Sequence, residues 1–414
     1  MSRNERRRAF TVLWIGQFTA TASLTVVVPL LPFYLAGLGV PKGDLPWWTG
    51  VALAAPAVTQ MISAPLWGLV GDRYGRKAMV VRAHVGLGVA VALMAVARTP
   101  EAFLMCRLLQ GAFGGVGGAT ATYASSLSKP RRRGRALGDL FGATAAGTLL
   151  GPLLGGVLAS RFGFAPLFGA LAGLLMIASV SALVLLSEPA GAKRTRDGPG
   201  RSVRKVARRL VWVAPGRNLL LAGIAAQAAM FALIVVFAAQ VEQITGSVAA
   251  ATVWVGVLHA MTWATSLVSG PWWGRRNDRR PAHRGFAVAA ACCGLAVALQ
   301  AAPGSPEALV PLRVAQGFCF AALVQSVLYV VSHLLGERLR GTGIGFATAV
   351  LDLGQVVGPL FGAAAAALLP APAVFPVIGG LLVGSALLAL RSEHQHRAEG
   401  MALLPHAARG LVRQ

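Results

Sequence analysis

Residues 167–186 and 218–239 contain no charged side chain. About 20 apolar residues cross the hydrocarbon core of a bilayer, and a helix satisfies every backbone N–H and C=O inside that run. Runs of this kind are predicted near 10–37, 47–70, 78–97, 101–124, 136–160 and 164–187, and again near 217–240, 248–273, 285–302, 307–334, 342–368 and 372–391. The pattern is six, a break, and six more. Of the 414 residues, 56% are hydrophobic and only 13% charged, against roughly 25% charged in soluble domains. The expected fold class is therefore an all-α membrane protein of twelve transmembrane helices.

The formal net charge of +24 would suit a nucleic-acid partner if it lay on one face. It does not. Every Lys and Arg falls at the N-terminus, in alternate loops or in the tail, except Lys42, Arg98 and Arg161 in the opposite loops and Arg107 and Arg313 within helices. The positive-inside bias then puts both termini in the cytoplasm and the protein in the cell (inner or plasma) membrane, in contact with lipid and not with nucleic acid. Residues 1–187 are read as a first bundle and 188–216 as a basic cytoplasmic linker. A second bundle follows over 217–391, with a cytoplasmic tail over 392–414. The basic start, Met1 to Arg8, leads into a run longer than a cleaved signal segment, so it reads as an uncleaved first helix. Cys106, Cys292, Cys293 and Cys319 lie inside apolar runs with no metal-ligand spacing, and no metal is expected.

The two bundles repeat one another. Pro65-Leu-Trp-Gly-Leu-Val-Gly-Asp-Arg-Tyr74 is echoed by Pro271-Trp-Trp-Gly-Arg-Arg-Asn-Asp-Arg-Arg280. Arg107-Leu-Leu-Gln-Gly111 is echoed by Arg313-Val-Ala-Gln-Gly317, and Gly151-Pro-Leu-Leu-Gly155 by Gly358-Pro-Leu-Phe-Gly362. The spacing carries an even number of helices, so the halves share one orientation and are related by an axis along the membrane normal. Repeats of this kind are a usual architecture of secondary transporters.

In these motifs the chain resembles the major facilitator superfamily, in its twelve-helix drug:proton antiporter branch. Gly68, Gly71, Asp72, Arg73, Gly75, Arg76 and Lys77 match motif A, between helices 2 and 3. Arg107, Gln110 and Gly111 fit motif B on helix 4. Gly147, Gly151, Pro152, Gly155 and Gly156 fit the antiporter motif on helix 5, and Pro29-Leu-Leu-Pro-Phe-Tyr34 resembles the end of helix 1. The resemblance implies two pseudo-symmetric six-helix bundles and alternating access, with a proton gradient as energy source and no cofactor. It also implies a cytoplasmic latch at motif A, against the plainer reading of a loop that only sets topology. Two departures stand out. Ser126 takes the place of an acid at the end of helix 4, and Pro281 stands where the first copy has Gly75. The second latch is expected to be weaker, and Asp72 less replaceable than Asp278.

Few polar groups lie deep in the runs. Arg107 sits about 9 Å into helix 4, where a guanidinium must meet an acid, carbonyls or water, or else snorkel outward. Asp352 falls near the middle of helix 11, where desolvation favours a carboxyl that loads and unloads protons. It is the main candidate proton carrier, with His259 as helper or ligand contact and Asp139 and Arg107 as further coupling candidates. The alternative is an Asp satisfied by structural hydrogen bonds. Gln17, Tyr34, Gln60, Gln227, Met230, Phe231 and Trp263 are candidate cavity contacts, each with helix packing as the alternative role. The glycines on helix 5 are expected to pack on helix 11 and seal the cavity. No HExxH, Gly-x-Ser-x-Gly or P-loop occurs, so an enzyme or ATP-driven pump is disfavoured. The expected function is proton-coupled export of small amphipathic or drug-like molecules, with each chain complete as a monomer. Proton-coupled uptake of a metabolite and a non-transporting receptor are the alternatives.

Overall fold

The computed structural model describes residues 3–127, 133–188 and 206–402. Its helices are α1 (Arg3–Thr25), α2 (Leu31–Gly37), α3 (Leu45–Tyr74), α4 (Arg76–Val96), α5 (Pro100–Ala112), α6 (Val116–Leu127), α7 (Arg133–Phe162) and α8 (Phe164–Leu185) in the first half. The second half holds α9 (Ala214–Thr245), α10 (Val248–Arg279), α11 (Ala282–Leu299), α12 (Pro306–Leu334), α13 (Gly336–Leu351), α14 (Leu353–Leu368) and α15 (Ala371–Ala402). Three pairs, α1 with α2, α5 with α6 and α13 with α14, each form one interrupted rod. Twelve rods result, six in each half. Among the described residues, nine spans are long and apolar enough by themselves to cross a membrane.

Local chemistry sets the starts and breaks. Thr99 caps α5 by accepting from the Ala102 N–H at 3.2 Å, and Ser305 caps α12 by accepting from Ala308 at 3.4 Å. In both helices a proline and a glutamate follow the cap, where the missing N–H costs nothing and the acid meets the positive helix end. These matched caps fix the register that carries Arg107 and Arg313 inward. The rod of α5 and α6 breaks at Gly114 and Gly115, the latter with φ +90, a conformation that glycine adopts without strain.

Packing within the halves follows the repeat. The pairs α1·α7, α4·α8, α3·α5 and α1·α8 are matched by α9·α14, α11·α15, α10·α12 and α9·α15. Contact between the halves is made chiefly by α7 against α10 and α3 against α14. The expected packing of helix 5 on helix 11 is therefore corrected: α7 and α14 are symmetry mates that occupy equivalent seams. One glycine face of α7 lies on α1, where a Cβ at Gly147 would stand 2.7 Å from the Phe18 carbonyl oxygen and one at Gly151 2.8 Å from that of Ala22. A Cβ at Gly155 would strike the Val26 side chain. Gly156 faces the other way, 2.8 Å by the same measure from the Thr252 carbonyl, and Gly256 answers at 2.6 Å from that of Pro152. On the opposite seam Gly50 of α3 meets Pro359 and Ala363. Without a hydrophobic drive between helices in lipid, such close backbone approach is what holds them. Both seams lie at the end of the bundle away from the chain termini.

The repeat extends to single hydrogen bonds. Trp67 Nε1 donates to the Ala112 carbonyl at 2.6 Å, and Trp273 Nε1 to that of Phe318 at 2.7 Å. A Cβ at Gly111 would collide with the Pro56 carbonyl and one at Gly317 with that of Thr262, which explains the glycine that closes each motif B copy. At motif A the copies diverge. The Glu188 carboxylate accepts from the backbone N–H groups of Arg76 at 2.7 Å and Lys77 at 3.0 Å, capping α4 from the end of α8. Gly75 has φ +95, and a Cβ there would lie 2.8 Å from that carboxylate. Pro281, with φ −53, opens α11 directly. Glu188 was assigned to the linker by sequence, and the structure places it in the first half as a cap. The last helix also outruns the expected limit at 391, because Ser392 donates to the Pro215 carbonyl at 2.6 Å and Glu393 pairs with Arg284 at 3.2 Å.

Gly111→Ala and Gly317→Ala should each destabilise the protein by about 1–3 kcal/mol, seen as a lower melting temperature in detergent. Gly118→Ala, with nothing within 4 Å of the added carbon, should hold or raise it; equal losses at all three would remove the contact explanation. Glu188→Ala should cost ~1 kcal/mol and speed hydrogen exchange in the first turn of α4. Unchanged exchange at Arg76 and Lys77 would show that the cap is not formed.

Candidate functional site

A cavity of about 370 Å³ lies between the halves, within the range of small-molecule sites. Equivalent positions of the two halves line it, and the chemistry differs. Where α1 and α3 contribute Leu24, Thr25, Leu53 and Ala57, α9 and α10 contribute Met230, Phe231, His259 and Trp263 at the matching positions. Thr148 on α7 is matched by Gln355 on α14. The second half thus supplies the aromatic and titratable surface, and the first half a smaller, more aliphatic wall.

Two positions keep the same chemistry in both halves. Arg107 and Arg313 both reach the cavity, each 3% exposed. Arg107 Nε donates to the Ala52 carbonyl at 2.9 Å, and its Nη1 to Gln110 Oε1 at 2.5 Å. Arg313 Nη1 donates to Gln316 Oε1 at 3.0 Å, and its guanidinium carbon lies 3.3 Å from the ring centre of Phe237, a cation–π contact. Gln316 Oε1 also accepts from Gln300 Nε2 at 2.9 Å. Snorkelling of Arg107 to the surface is thereby excluded: its charge is turned inward and held by the glutamine one helical turn on.

His259 and Trp263 act together, Trp263 Nε1 donating to His259 Nε2 at 3.0 Å, which leaves the imidazole proton on Nδ1. Gln60 and Gln227 line the cavity. Asp352 is half-buried at the junction of α13 and α14, and its Oδ1 accepts from Gln355 Nε2 at 2.8 Å. It thus stands behind a cavity residue and not on the wall itself. Asp139 is exposed near the start of α7, away from the cavity.

Two expected contacts belong elsewhere. Tyr34 is buried among Phe103, Phe164 and Phe168, with its hydroxyl donating to the Met94 carbonyl at 2.9 Å. Gln17 donates to Thr144 at 3.0 Å and accepts from Thr120 at 2.7 Å, tying α1 to α7 and α6. Both face the interior of the first half, because the rotation of α1 and α2 turns them from the interface. In motif A, Gly71 packs against Met79, and Arg76 and Lys77 meet Glu188 through their backbones. Gly68, Asp72 and Arg73 lie on α3, but their side chains fall outside the described residues, as do 189–205 of the linker and 403–414 of the tail. Ser126 donates to the Tyr123 carbonyl at 2.5 Å, a bond within its own helix. Gln316, Phe237, Phe320 and Gln355 were not singled out by sequence. The glutamine three residues after each arginine was the available signal for Gln316.

The Major Facilitator Superfamily model matches residues 13–258 and 219–409. The chain is 36% identical over 388 residues to the Staphyloferrin B transporter of Staphylococcus aureus (strain NCTC 8325 / PS 47), covering 93% of both chains. It is 29% identical over 396 residues to the multidrug resistance protein MdtG of Salmonella heidelberg (strain SL476), covering 94% of this chain and 96% of that one. Among solved structures, a bacterial homolog of the human lysosomal transporter Spinster, inward-facing and occupied, superposes with a TM-score of 0.76 at 14% identity over 96% of this chain and 97% of that one. The human organic anion transporter MFSD10 gives 0.65 at 21% identity over 94% of this chain and 100% of that one. With its two six-rod halves, the repeated motifs and these matches along its length, the chain belongs to the Major Facilitator Superfamily of membrane transporters.

Proposed function

We propose that this transporter is a proton-coupled exporter of small amphipathic organic molecules, rocking its halves about the central cavity as a monomer in the inner membrane. The observation that carries this reading is one cavity lined by matching positions of both halves and closed at one end by backbone seams. Relatives named as a transporter of staphyloferrin B and as multidrug resistance proteins support it. With both termini cytoplasmic, as the basic loops favour, the closed end is the outer one and the cavity faces the cytoplasm. Substrate then enters from the side on which it is made or has accumulated.

Asp352 is the proton carrier in this proposal. Its hydrogen bond to Gln355 links its protonation state to the cavity wall, and His259 is the second titratable group within reach of a substrate. Arg107 keeps its proton and acts through its charge. Asp72, Arg73, Arg76 and Lys77 form the cytoplasmic latch, and Asp139 lies on the cytoplasmic approach.

In inverted membrane vesicles with an imposed pH gradient, addition of a transported compound should dissipate the gradient. Asp352→Asn should abolish proton-driven transport, by about 100-fold or more, while leaving substrate counterflow. Retention of full proton-driven transport would remove Asp352 from the mechanism, and uptake in intact cells in place of efflux would overturn export. In the same assay Asp72→Asn should reduce transport at least several-fold and Asp278→Asn little. Equal effects would refute a latch confined to the first half.

A further inference from the structure

We propose that the central cavity is an anion site, in which Arg107 and Arg313, one from each half, take the acidic groups of a multiply acidic organic substrate. Among the described residues its lining contains these two arginines and His259 as ionisable groups and no aspartate or glutamate, with Asp352 one hydrogen bond behind it on Gln355. The ion pair of Arg284 with Glu393 lies outside the cavity lining. Two guanidinium charges therefore stand in a low-dielectric space with only amide and carbonyl oxygens and one aromatic face against them. Neutral acceptors satisfy hydrogen bonds without cancelling charge, so the cavity keeps a positive field.

Each arginine is also held for use. The i+3 glutamine takes one Nη of each, and the Ala52 carbonyl also takes Nε of Arg107. This leaves Nη2 on Arg107 and Nε with Nη2 on Arg313 for a carboxylate, the latter pair a geometry that guanidinium matches with two parallel bonds. Arg313 Nε and Gln110 Nε2 are buried donors without partners, and both residues line the cavity. Those unused donors and the lack of acceptors of matching charge are what an acidic ligand would correct. The surrounding Met230, Phe231 and Trp263 suit its carbon frame.

This inference rests on the cavity being the translocation site, and equilibrium binding tests it without any pH gradient. The protein in nanodiscs of neutral lipid is titrated at constant ionic strength with citrate, with neutral trimethyl citrate and with tetraphenylphosphonium. Citrate should bind most tightly, and Arg107→Gln and Arg313→Gln should each weaken it by about tenfold or more without weakening tetraphenylphosphonium. The melting temperature of each unliganded variant checks folding, and Arg→Lys at either site, which keeps charge but loses the fork, should fall between wild type and Gln. Citrate binding no tighter than its ester, or unchanged in the variants, overturns the anion site. Citrate binding as expected without proton-driven transport in vesicles overturns the export reading and leaves the anion site standing.

Discussion

Backbone-to-backbone contact between helices is the constraint on which the rest of this structure depends. In lipid, apolar side chains gain little by leaving one hydrocarbon environment for another, so association rests on close fit. Glycines provide that fit along two equivalent rods. On α7 one face lies against α1 and the adjacent face against α10; on α14 Gly354, Gly358 and Gly362 lie against α9, and Pro359 against α3. Each rod therefore belongs to its own half and touches the other half in the same register. The cavity is the space that these two seams leave between them.

A duplicated scaffold has kept its mechanics and divided its chemistry. The tryptophan bonds at Trp67 and Trp273, the caps at Thr99 and Ser305 and the collisions that require Gly111 and Gly317 recur in both halves. Those features hold rods at fixed depth and spacing, and both copies need them equally. Cavity side chains are under no such requirement. His259 faces the cavity where the first half has Leu53, and Trp263 where it has Ala57. Arg107 and Arg313 are exceptions among the wall residues, alike in identity, in anchoring glutamine and in burial.

Much of the architecture was legible because its signals are long or repeated. Twelve apolar runs, a common offset and the Arg-x-x-Gln-Gly motif each rest on several residues, and all of them survive. The site was less legible because it depends on helix rotation and on where rods break. Gln17 and Tyr34 lie in the interrupted first rod, and a polar residue inside a membrane helix serves a bundle interior as readily as an interface. Asp352 was read from its place within an apolar run, and its position behind Gln355 follows from the turn between α13 and α14. Glu188 carried no signal at all: it reaches α4 across more than a hundred residues of sequence, and a carboxylate beyond the last apolar run reads as linker.

The seam at Gly156 and Gly256 has a mechanical consequence. Where two backbones touch through glycine, no interdigitated side chain or discrete hydrogen bond has to be undone as they part. The work of separation is spread over many weak contacts, and a gap of about 1 Å already forfeits up to half of each. A joint of this kind lets two arrangements of the halves lie close in free energy, where modest differential affinity for a bound molecule suffices to tip the balance. A seam without latches, more than a strong one, would let a cargo of ordinary affinity choose between the two arrangements.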